Sequence, residues 1–134
     1  MKDDLVERCY RVDKLADIDV LSRKRKGEDK FKDFHADTYV SRRVGLFSGK
    51  EKNITVKVKP DLVGAFIDQF GKKETHIKEV EDGVEVSFRA ATSNNLYGWL
   101  IGLEDVEVLS PPSVRGEIEK LIKKNMNFYK NSQL

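Results

Sequence analysis

Between Asn53 and Ser110 the sequence reads strand, helix, strand, strand, helix, strand, and a longer amphipathic helix follows from about Ser113 to Tyr129. Ile54, Val56 and Val58 alternate with Thr55, Lys57 and Lys59, the period-2 pattern of a strand with one buried face. Pro60-Asp61 then opens a segment in which Leu62, Val63, Phe66, Ile67 and Phe70 share one helical stripe. Gly71 stands where a left-handed cap would end it. Glu81-Asp82-Gly83 is a hairpin signal, because Asp-Gly tolerates the positive φ of a tight turn, and Val84, Val86 and Phe88 alternate after it. A second helix, with Thr92 or Ser93 as N-cap, carries Leu96, Trp99, Leu100 and Leu103 on one face. Val106 and Val108 supply the closing strand.

Right-handed crossovers place both helices of such an order on one face of a four-stranded antiparallel sheet, the α+β, ferredoxin-like β-α-β-β-α-β sandwich. Many functions share that topology, so the fold alone selects none of them.

Composition narrows the classes. Lys and Arg number 25 against 23 Asp and Glu, so the chain is no polycation and any nucleic-acid contact is local. The single Cys9 has no partner for an internal disulfide, no apolar run reaches the length of a membrane helix, and Met-Lys-Asp-Asp is not a signal peptide. A cytoplasmic protein with no membrane association is expected.

The first 21 residues are too short for a domain. Val6, Cys9, Tyr10 and Val12 suggest one strand and Ile18, Val20 and Leu21 another apolar stretch, and two short strands need a partner to bury anything. Residues 22–52 form a charged connector with Arg23-Lys24-Arg25-Lys26, then a short amphipathic helix from Phe34, capped by Asp37 and ending near Gly45 or Gly49.

The ordered set of pieces resembles the C-terminal half of bacterial WYL-domain transcriptional regulators. Tyr10-Arg11-Val12-Asp13-Lys14-Leu15 stands in the place of that family's closing WYL strand, of the type Phe-Arg-Leu-Asp-Arg-Ile. Leu46-Phe47-Ser48-Gly49 matches its aromatic-x-Gly element. Pro60-Asp61, Phe70-Gly71, Glu81-Asp82-Gly83, Trp99-Leu100, Val106 to Pro112 and Arg115 to Tyr129 match in turn the parts of its extension domain, WCX. The resemblance divides the chain into a WYL remnant (1–21), a connector (22–52), a WCX domain (53–112) and a C-terminal helix and tail (113–134). The helix-turn-helix and the Trp-Tyr-Leu strands of a whole regulator are not in this sequence, so the resemblance implies a fragment, with DNA reading left to the missing N-terminal domain.

What the resemblance implies is an effector-sensing and dimerisation region, a homodimer whose ligand is a nucleotide or a single-stranded nucleic acid. The alternatives are a free-standing ferredoxin-like module that binds a small ligand without a DNA-binding role, and a chain left inactive by truncation. Arg11, by its match to an arginine thought to line the family's basic pocket, is the first candidate ligand-binding residue. Strand alternation adds Lys57, Lys59 and Arg89 as a shallow basic patch on the open sheet face. Glu85 among them favours the plainer reading of cross-strand pairs that solvate the face. The Arg23 to Lys26 run reads as a solvated connector, and Arg42 and Arg43 as cations that complement a helix dipole.

Trp99, Phe66, Phe70 and Phe88 fall on the apolar stripes and read as core. His35, His76 and Cys9 lack neighbours at ligand spacing, and no phosphate loop, nucleophile elbow or zinc-helix motif occurs. No enzyme, metal or cofactor is therefore expected. The open face also lacks the aromatic platforms on which RNA-recognition modules of this topology stack bases.

Overall fold

The computed structural model describes residues 9–47 and 49–131. Helix α1 (Ala36–Ser41) precedes strand β1 (Glu51–Val58), helix α2 (Val63–Phe70), strands β2 (His76–Val80) and β3 (Gly83–Ala91), helix α3 (Asn94–Gly102), strand β4 (Val106–Ser110) and helix α4 (Pro112–Asn131). The sheet order is β2-β3-β1-β4, and every neighbouring pair is antiparallel. This is the ferredoxin-like arrangement, with α4 added at its end.

The period-2 pattern dictates which face is dry. Ile54, Val56, Val58, Val84, Val86, Phe88, Ala90 and Val108 from the sheet meet Phe66, Phe70, Leu96, Tyr97, Leu100 and Val114 from the helices in one core. Aromatic rings fill its centre: Phe70 stacks on Phe88 at 4.4 Å between centroids, and Trp99 presents an edge to Phe66 at 5.2 Å. Ser93 caps α3 by accepting the amide of Leu96 at 3.1 Å. Gly71 ends α2 with φ +87, but its ψ of 146 is extended, so the cap is not the left-handed one expected.

Gly83 closes the β2–β3 hairpin at φ +151, and a side chain there would bring Cβ to 2.7 Å from the Val58 carbonyl oxygen. Glycine is required by close approach as well as by the turn.

Several expectations outside the sheet are corrected. Val6 lies outside the described residues. Cys9 to Leu21 forms no strand, only a 3-10 turn at Val12–Lys14, and Val12, Ile18, Val20 and Leu21 are all exposed. The segment has apolar side chains but no neighbouring strand to receive its backbone hydrogen bonds. His35, not Asp37, occupies the N-cap of α1, where it makes no side-chain cap bond, and the helix stops at Ser41 before reaching either glycine. β1 starts at Glu51, two residues before Asn53, because Glu51 and Lys52 pair with Ala91 and Ala90.

Candidate functional site

The register of the sheet arranges the open face in rows that run across the strands. One row is Lys78, Glu85, Lys57 and Glu107, alternating in charge from β2 to β4. The next is His76, Ser87 and Thr55, without a carboxylate, lysine or arginine, and with the two hydroxyls hydrogen-bonded at 2.9 Å. Beyond it Arg89 faces Asn53, and Glu74 sits in the turn just ahead of β2. The last row, Glu51 opposite Ala91, is covered by the connector. Ala91 should be exposed by alternation yet is buried, and its amide donates to the Arg42 carbonyl at 2.8 Å.

Long side chains on both sides of a short-chain row leave a trench. A cavity of about 420 Å³ opens there, lined by Asn53, Thr55, Glu74, His76, Ser87, Phe88 and Arg89.

At the trench's covered end three arginines converge on one carboxylate. Glu51 accepts from Arg89 Nε at 3.1 Å, Arg43 Nη1 at 3.2 Å and Arg42 Nη1 at 3.4 Å, while Arg42 Nη2 reaches Glu74 at 3.4 Å. Arg43 is 8% exposed, donates to the Tyr39 carbonyl at 2.9 Å, and lays its guanidinium 3.5 Å over the Tyr39 ring. Burial pushes the Glu51 carboxyl up, but the Arg89 hydrogen bond, the Arg42 charge and Arg43 together outweigh it and hold the group below the usual carboxylate range. The Nε atoms of Arg42 and Arg43 are buried with no hydrogen-bond partner, so the cluster is tight but incompletely satisfied.

The sequence-predicted site residues are distributed rather than gathered. Arg11 is exposed in the N-terminal segment and donates from Nε to Asp13 at 2.9 Å, which raises its own pKa and lowers that of Asp13. Lys57 donates to Asp82 at 2.8 Å and Lys59, one residue past β1, to Asp105 at 2.7 Å; each ammonium is held above its ordinary pKa by that bond. Arg89 belongs to the Glu51 cluster and also touches Asn53 Oδ1 at 3.3 Å. Three different carboxylates thus pair with the three sheet cations, and the open face carries separate ion pairs and no continuous basic patch.

Arg42, Arg43, Glu51 and Glu74 were missed as a group. Complementing the α1 dipole does not account for two arginines that leave the helix to grip a strand. The only trace in the sequence is an Arg-Arg pair eight residues ahead of an acidic strand start, and it becomes informative once the connector is known to fold back.

No curated protein matches the chain. Residues 51–125 match the family model described as the WCX domain, a span that starts at the first residue of β1, takes in the whole sheet and runs into α4. That span is more than half of the 134 residues, and the chain belongs to the WCX domain family.

Proposed function

We propose that this chain is the C-terminal effector-sensing and dimerisation region of a WYL-type transcriptional regulator, in which another domain reads the DNA. The observation that carries the proposal is the distal half of α4. Val114 is buried and Ile118 and Leu121 pack on the core, but from Ile122 to Asn131 every residue is exposed, Met126, Phe128 and Tyr129 included. An apolar stripe on a helix wants cover, and a second copy running antiparallel supplies it. Charge favours the antiparallel sense: Lys123, Lys124 and Lys130 make the second half of α4 basic, while Glu117 and Glu119 balance Arg115 and Lys120 in the first, so an antiparallel partner keeps the two basic ends apart.

Sensing is supported by ion pairs that a stronger anion can displace. Arg11, Lys57, Lys59 and Arg89 are each held by exposed or half-exposed carboxylates, and a nucleotide or a short single-stranded nucleic acid offers phosphates to the same groups. A ligand that prefers one arrangement of the dimer would then shift the spacing of the DNA-binding arms. The cytoplasm is the compartment this reading requires.

One observation favours a free-standing ligand-binding module instead: the four strands and the fully buried core residues all lie between Glu51 and Val114. Sedimentation of the chain, with titration of Trp99 fluorescence by nucleotides and short oligonucleotides at low and moderate salt, tests the proposal. A dimer with saturable binding at moderate salt supports it. A monomer at high concentration removes the dimerisation half, and binding abolished by moderate salt removes the sensing half.

A further inference from the structure

We infer that the trench across the open sheet face is a binding site for a free α-amino acid, with Arg89 receiving its carboxylate and Glu74 its ammonium group. The inference is independent of any role in a regulator. It starts from what the trench offers. Arg89 spends Nε on Glu51 and Nη1 on Asn53, which aims the guanidinium along the sheet. Asn53 accepts that bond through Oδ1, so its amide nitrogen remains available as a donor. The His76 imidazole is exposed on the neighbouring edge strand, and the Thr55–Ser87 pair keeps one hydroxyl proton beyond its mutual bond. Donors therefore crowd one side, as a carboxylate requires.

Glu74 supplies the complementary charge. Arg42 Nη2 holds one of its oxygens at 3.4 Å, Glu51 and Asn53 hold Arg89, and Glu74 and Arg89 make no ion pair with each other, so the two opposite charges stand apart at the trench. Arg89 on β3 and Glu74 in the turn that leads into the neighbouring β2 line the same cavity, so a molecule whose two charged groups hang on one carbon can reach both. The lining favours a small polar ligand. Of its two rings, Phe88 turns into the core and His76 is a lone imidazole on the edge strand, so no pair of rings brackets a nucleobase, and no aliphatic wall receives an acyl chain. The cavity of about 420 Å³ lies towards the lower end of small-molecule clefts and holds a free amino acid with room for its side chain.

The site has a built-in consequence. A ligand carboxylate on Arg89 competes with Glu51, and a ligand ammonium on Glu74 competes with Arg42, so occupancy loosens one pair within the sheet and one contact that ties the end of α1 to it.

The test is an amide NMR titration of the full chain with glycine, serine and aspartate, beside acetate and ethylamine, which carry one charge each. Saturable shifts at Thr55, His76, Ser87 and Arg89, at least about tenfold tighter for an amino acid than for acetate, are expected. Glu74→Gln should remove the advantage of the amino acid over acetate, and Arg89→Gln should weaken both. Should Arg89→Gln fail to fold, Ser87→Tyr fills the trench with a strand-favouring residue while sparing the arginine cluster, and should abolish the shifts. Shifts absent at millimolar amino acid, equal for acetate and amino acid, located away from the trench, or retained in Ser87→Tyr would overturn the inference.

Discussion

Arg43 and Glu51 lie 3.2 Å apart across the junction between the connector and β1, with the arginine almost wholly buried and the carboxylate shared with Arg42 and Arg89. An arginine so placed is tolerable only while its charge is answered. Glu51→Gln keeps the shape of the site and removes the answer. It should lower stability by about 2–4 kcal/mol, seen as a shifted urea midpoint with unchanged slope. Arg89→Gln, which removes a half-exposed partner, should cost under about 1 kcal/mol. Equal losses from the two would mean that Arg43 finds other compensation.

The same carboxylate makes stability depend on pH in a definite direction. Its pKa is lower folded than unfolded, so its contribution is fully present above the unfolded value and is lost as pH falls through the folded one. The gap in urea midpoint between the parent chain and Glu51→Gln should be constant near neutrality and narrow in acid. Asp13, Asp82 and Glu119 are lowered too, but their partners are exposed cations, and added salt should screen what they contribute. A gap that persists unchanged into strong acid would assign the Glu51→Gln effect to shape rather than charge.

The sheet was legible in the sequence because its determinants are local. Ile54, Val56 and Val58, the Asp82-Gly83 turn and the Ser93 cap each act within a few residues, and the hydrophobic face they define leaves few topologies. The Glu51 cluster was not legible, since it joins Arg42, Glu51, Glu74 and Arg89 over 47 residues and depends on the connector returning to the sheet. The N-terminal segment misled for a related reason. β-branched residues such as Val12 and Val20 favour a strand only when another strand is adjacent, and none is among the described residues.

Two glycines should resist substitution for different reasons. Gly83→Ala places a Cβ against the Val58 carbonyl at positive φ, and about 1–3 kcal/mol should be lost. Gly49→Ala drives a Cβ into the Thr92 backbone, where the amide and hydroxyl of Thr92 both bond to the Lys50 carbonyl. Gly64→Ala, on α2 with open space around it, is the control and should be neutral or stabilising by up to about 1 kcal/mol. Thermal midpoints of the three variants check the order.

The two halves of α4 should separate cleanly by mutation. Val114, Ile118, Leu121, Asn125 and Phe128 recur at alternating spacings of four and three, the repeat of a helix that packs along one seam. The domain covers that seam only as far as Leu121. Val114→Ala leaves a hole under a fully buried side chain and should cost about 2 kcal/mol whatever the oligomeric state. Met126→Asp and Phe128→Asp alter exposed positions and should leave the unfolding midpoint at low concentration nearly unchanged, while shifting sedimentation at high concentration towards monomer. If instead both aspartate variants unfold as readily as Val114→Ala, the distal half of α4 is covered by its own domain in solution and the dimer reading loses its surface.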